Sequence, residues 1–158
     1  MSFIIRQGRP EDRGAVFAML REFMDYFAAI EPGEIATEAE LAETAGLAFR
    51  PDPVCSLLIA ERKGRPVGYL AYHFGVWNVY AALYVAGLFV TADARKLGIG
   101  KALMAEARRL AAARGATHVT WTVWRKNDPA FAFYRRLGAE SYDDDLPMFL
   151  KIGEGEPR

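Results

Sequence analysis

Residues 82–115 constrain the fold more than any other part of the chain. "ALYVAGLFV" is an apolar run of strand length, and "TADARKLGIGK" turns it. A helix follows, with Leu103, Ala107, Leu110 and Ala111 on one face and Gly115 as its stop. Two glycines, Gly98 and Gly100, stand where that helix begins, with Arg95 and Lys96 before them and Lys101 after. Glycine is a poor helix former and neighbouring cations repel, so the pattern needs a reason. The first N–H groups of a helix have no partner within it, and its dipole favours negative charge there. An anion such as a phosphate meets both conditions, and glycines let it approach the backbone. The plain structural alternative is a glycine start beside a solvated charge cluster.

The remaining chain reads as strands and helices in alternation. Residues 3–7 alternate like a strand, and Val16, Leu20, Phe23, Met24 and Phe27 follow at helical spacing with Pro10 near the start. "TEAE" offers Thr37 and Glu40 as a capping box for a second helix running to about Phe49. "VCSLLIAE", the turn "RKGR" and "PVGYLAYHF" predict a β-hairpin. "THVTWTVW" alternates as a strand, and "DPAFAFYRRLG" predicts a short helix with Pro129 in its first turn. "ESYDD" and "PMFLKI" can form a closing hairpin before the tail "GEGEPR". The order β-α-α-β-β-β-α-β-α-β-β predicts a mixed α/β fold, a central sheet with helices on both faces. With 158 residues and no repeat or linker, the expectation is one domain spanning 1–158.

Charge excludes several function classes. Lys plus Arg and Asp plus Glu number 20 each, so no global field recruits nucleic acid or an anionic membrane. The one cysteine, Cys55, lies in an apolar run, which suits a core position and a reducing compartment. No signal segment or membrane span is visible, so a cytoplasmic protein is expected.

The glycine segment fails two phosphate-loop patterns. A P-loop needs glycine where Arg95 stands and Ser or Thr where Ala102 stands. A dinucleotide fingerprint needs glycine at Leu103 and an acid closing the next strand, where Trp124 and Arg125 stand. What remains, Arg95-x-x-Gly98-x-Gly100, resembles the coenzyme A pyrophosphate loop of the GCN5-related N-acetyltransferases. "NDPAFAFYRRLGAE", with Asn127, Ala130, Phe133, Tyr134, Gly138 and Ala139, resembles that family's second signature at matching spacing. "YFAAIEPGEIATEAEL" and "LYVAGLFV" further resemble the diamine and thialysine acetyltransferase branch.

The resemblance implies a mostly antiparallel sheet splayed between its fourth and fifth strands. It implies acetyl-coenzyme A as co-substrate, no metal, an amine acceptor and, from the diamine branch, a homodimer. The pyrophosphate would lie on Arg95, Lys96, Gly98, Ile99, Gly100 and Lys101, and Asn127 would lie beside the coenzyme. Gly87 inside a strand suggests a bulge. By the resemblance, the backbone of Leu88, Phe89 and Val90 would then bind the pantetheine arm. Tyr134 matches the family tyrosine whose hydroxyl faces the coenzyme sulfur, and a phenol protonated at neutral pH can donate to a departing thiolate. Ala86 and Gly87 stand where the diamine branch carries adjacent carboxylates, so the general base is open. Glu31, Glu34, His73, Tyr84 and Asp143 to Asp145 are the substitutes within reach.

Three functions compete at this level. The first is an acetyl-coenzyme A-dependent N-acetyltransferase acting on a small amine. The second is a non-catalytic acyl-coenzyme A-binding module, and the third an acetyltransferase of protein amines. Tyr134 favours an enzyme, and the aromatic stretch "YLAYHFGVWNVYAALY" favours a small acceptor.

Overall fold

The computed structural model describes residues 2–33, 36–142 and 148. The chain divides into two compact units, Met1–Asn127 and Asp128–Arg158. In the first unit the strands β1 (Ile4–Gln7), β2 (Ser56–Arg62), β3 (Arg65–Trp77), β4 (Tyr80–Val90) and β5 (His118–Thr120) form one sheet in sequence order. Neighbours from β1 to β4 are antiparallel, and β5 joins β4 in parallel. The helices α1 (Arg13–Ile30) and α2 (Glu38–Gly46) connect β1 to β2, and α3 (Ile99–Ala113) connects β4 to β5. This is the mixed, mostly antiparallel sheet with flanking helices that the sequence predicts.

Local chemistry sets the ends of these elements. Pro10 opens a 3-10 turn that leads into α1. Thr37 and Glu40 form the expected capping box: the Thr37 hydroxyl accepts from the Glu40 amide, and the Glu40 carboxylate accepts from the Thr37 amide at 2.7 Å. Lys63 and Gly64 both take positive φ, 51° and 72°, in the two-residue turn between β2 and β3. That is the handedness a tight hairpin needs.

Strand alternation divides the core. Leu57, Ile59, Tyr69 and Phe89 join Val16, Met19, Leu20, Leu41 and Ala45 from α1 and α2. Leu58 and Leu70, also buried, point to the opposite face. Ile99 of α3 lies on that face, its Cγ2 3.4 Å from where a Gly68 Cβ would be. Each such apolar side chain contributes about 1.5–3 kcal/mol by leaving water. Arg6 of β1 ties the sheet to the turn before α1, donating to both Asp12 oxygens at 2.7 and 2.8 Å and to Glu61 at 2.8 Å.

Two expectations change in extent. The stretch "THVTWTVW" reads as a full strand, but only His118–Thr120 pair with β4, against Ala82–Tyr84. β4 continues six residues further, to Val90, without β5 beside it, so the two strands are splayed. The β3–β4 hairpin, by contrast, is longer than predicted, with its turn at Asn78 and Val79. Of the expected closing hairpin, residues 143–147 and 149–152 lie outside the described residues. Among the described residues no helix is long and apolar enough to cross a membrane.

Candidate active site

The turn from β4 into α3 explains the glycine pattern. Gly98 is the N-cap of α3 and sits in the left-handed region at φ 83°. A Cβ there would meet nothing within 4 Å, so conformation rather than space requires the glycine. Ile99, the first helical residue, is buried and anchors the helix start, while Gly98 is exposed and Gly100 half-buried. No side chain caps the helix. The first amide to bond within it is that of Ala102, to the Gly98 carbonyl. The amides of Ile99, Gly100 and Lys101 therefore precede the helical ladder, aligned at its positive end. Lys96 is also left-handed, at φ 62°, which costs a residue with a Cβ roughly 1 kcal/mol.

The three cations of the turn have no carboxylate partner among the described residues, whereas Arg6, Arg21, Arg50, Arg65, Arg109 and Lys126 each pair with one. Arg95 is held in another way. Its Nε donates to the Val90 carbonyl at 3.1 Å, and its guanidinium carbon lies 5.3 Å from the Tyr26 ring centroid and 5.5 Å from that of Phe89. Two aromatic faces position the charge without neutralising it. The Tyr26 hydroxyl in turn donates to Oδ1 of the buried Asn127 at 2.8 Å, linking α1 to the end of the first unit. Uncapped amides and unpaired cations in one turn form a donor set that fits a pyrophosphate.

β4 carries the predicted irregularity. Its register with β3 passes from Ala71↔Gly87 to Tyr72↔Val85, so Ala86 has no partner on β3 and bulges. Leu88, Phe89 and Val90 follow the bulge, paired with β3 on one side and beyond the reach of β5 on the other. Strand backbone exposed in this way can receive an extended chain.

In the second unit, α4 (Asp128–Arg136) carries Tyr134. The helix ends on Gly138 at φ 82°, with the Ala139 amide returning to the Tyr134 carbonyl. Burial pushes the Tyr134 hydroxyl up to about 12, so it stays protonated at neutral pH.

Residues 16–139 match the sequence profile of the Acetyltransferase (GNAT) family. The chain belongs to this family. It is an N-acetyltransferase. The pig (Sus scrofa) thialysine N-epsilon-acetyltransferase is 27% identical over 148 residues, covering 87% of this chain and 84% of that one. A D-amino-acid N-acetyltransferase of Saccharomyces cerevisiae is 24% identical, covering 95% and 91%. A solved structure described as a possible acetyltransferase from Clostridium difficile 630 superposes with a TM-score of 0.78 at 15% identity, covering 96% and 99%. It shares the fold.

Of the candidate bases of this acetyltransferase, Glu31, His73 and Tyr84 lie among the described residues. Glu31 forms an ion pair with Lys126 at 2.6 Å. His73 is exposed and stacks on Tyr84, with ring centroids 5.1 Å apart. The Tyr84 hydroxyl lies 3.5 Å from that of Thr122. Glu34 and Asp143 to Asp145 lie outside the described residues. No group of three metal-ligating side chains is found among the described residues. Sequence reasoning missed Tyr26, because an aromatic at a core-facing position carries no mark of what its hydroxyl meets.

Proposed function

We propose that the protein, as one cytoplasmic acetyltransferase domain within a homodimer, moves the acetyl group of acetyl-coenzyme A to the amine of a small molecule. The observation that carries this reading is the β4–α3 turn, which unites unpaired cations with uncapped amides. Acetyl-coenzyme A supplies an activated thioester. Arg95, Lys96 and Lys101 bind the pyrophosphate together with the amides of Gly98, Ile99, Gly100 and Lys101. The backbone of Leu88, Phe89 and Val90 aligns the pantetheine arm along the open edge of β4. Asn127, held by Tyr26, contacts the coenzyme. Tyr134, which burial keeps protonated, donates its hydroxyl hydrogen to the departing thiolate, a role that follows from the family resemblance.

The acceptor is a monoamine with an apolar body. Ala86 and Gly87 offer no carboxylate to a second ammonium. The deciding assay follows thiol release from acetyl-coenzyme A across aromatic and aliphatic monoamines, putrescine and spermidine. Turnover favouring the monoamines supports the reading, and preference for spermidine contradicts the acceptor class. Gly100→Val puts a side chain into the phosphate path. It should lower acetyl-coenzyme A affinity at least about tenfold in a folded protein, since helix interiors accept valine. Unchanged affinity by calorimetry would remove the loop from the site. Tyr134→Phe should lower turnover by roughly 10²-fold, the scale of one acid–base group, with little change in the coenzyme KM. Unchanged turnover would make Tyr134 structural.

A further inference from the structure

Tyr69 presents a problem the proposed function does not absorb. It is 3% exposed, in the core cluster beneath α1 and α2, and burial pushes its hydroxyl well above the ordinary phenol range. That hydroxyl has no hydrogen-bond partner among the described residues. Buried polar groups are almost always satisfied, and a phenylalanine would fill this space without leaving an oxygen to desolvate. No fully buried side-chain oxygen among the described residues lacks a partner. The Tyr69 oxygen therefore keeps contact with solvent although its ring is buried, and that access requires an explanation.

Its position supplies one. Two atoms lie within 4 Å of the place where a Gly87 Cβ would be, the Tyr69 Cε2 at 3.5 Å and its Oη at 3.6 Å. The hydroxyl thus points at the gap left by the missing side chain of Gly87. Ala71 pairs with Gly87 across the strands, so the floor beside the hydroxyl is built from two small residues. Ala86 bulges next to Gly87, and the open edge of β4 begins there. A polar atom faces an open gap where the reacting end of an arm lying along Leu88 to Val90 would arrive.

We propose that the Tyr69 hydroxyl is a binding group for the acceptor amine, reached through the gap at Gly87. This rests on the reading given under Proposed function and names the group that recognises the acceptor. A neutral phenol offers two lone pairs. By accepting an N–H of the amine, Tyr69 leaves the nitrogen lone pair free to face the thioester carbonyl. One neutral acceptor with no carboxylate beside it suits one amine on a small body. The hydroxyl holds its proton throughout, so it orients the amine and is not the base.

Tyr69→Phe keeps the ring and deletes only the oxygen. The thermal midpoint and the acetyl-coenzyme A Kd should be unchanged, while the KM of the best monoamine rises about tenfold, with kcat altered less. Gly87→Ala, whose Cβ makes ordinary contacts, should cover the hydroxyl and raise the amine KM to a similar degree. The double variant should be no worse than either single one, because both remove the same contact. Wild-type turnover with an amine KM in Tyr69→Phe within twofold of wild type overturns this inference and leaves the proposed function standing. Failure of the wild type to acetylate any amine overturns both.

Discussion

Arg6 and Arg95 are two arginines held in opposite ways. Arg6 spends its donors on Asp12 and Glu61, and Asp12 also accepts the Arg9 amide. The Asp12 carboxyl is buried and is held below its ordinary range, chiefly by hydrogen bonding to Arg6. Arg95 meets one carbonyl and two aromatic faces, and no carboxylate among the described residues. Both side chains are fixed, but only the first has its charge cancelled. A cancelled charge joins parts of a fold together. A fixed, uncancelled charge retains its attraction for something that is not part of the fold.

The comparison breaks most visibly at Arg6. Arg6→Met leaves a buried Asp12 without its cation and should cost about 3 kcal/mol, since removing one partner of a buried pair strands the other. Urea titration measures it, and in the protein that remains folded acetyl-coenzyme A affinity should be unchanged. Arg95→Met should do the reverse. Stability should stay within about 0.5 kcal/mol, the usual range for an exposed side chain, while coenzyme affinity falls roughly tenfold and its salt dependence weakens. Equal stability losses in the two variants would erase the distinction. The smallest effect is in acid. Because Asp12 titrates lower when folded than unfolded, its contribution is complete above the unfolded value near 4 and is lost as pH falls through the folded one. Arg95→Met should keep the wild-type acid slope, and Arg6→Met should flatten it.

Much of the fold was legible because it rests on local chemistry. The Thr37–Glu40 box and the Lys63–Gly64 turn are decided by residues within four positions of each other. β5 was over-read because "THVTWTVW" alternates whether or not a neighbouring strand is there. Alternation reports two environments, not hydrogen-bond partners, and β4 diverges beyond Tyr84. Within the site, the glycines and the bulge were legible from residue type. The hold of Tyr26 on Asn127 spans 101 positions, and the hydroxyl of Tyr69 meets Gly87 only once β3 and β4 pair. Such meetings belong to the tertiary structure, and no pattern of neighbours encodes them.

The bulge at Ala86 has a further consequence, for how this strand can evolve. On the Val90 side of it, Leu88 lies opposite Leu70; on the other side, Val85 lies opposite Tyr72 and Leu83 opposite Phe74. Even positions of β3 thus face even positions of β4 before the bulge and odd positions after it. The extra residue acts as a phase shift in the inside–outside code of the strand. No substitution can undo a phase shift, because parity depends on how many residues there are and not on which they are. Only a deletion could restore it: without Ala86 the strand would alternate regularly, with Val85 still opposite Tyr72, whereas flattening the bulge with Ala86 in place would invert every side chain from Tyr80 to Val85 at once. The bulge is therefore insulated from point mutation by arithmetic, while the gap beside Gly87 depends on that one residue lacking a Cβ.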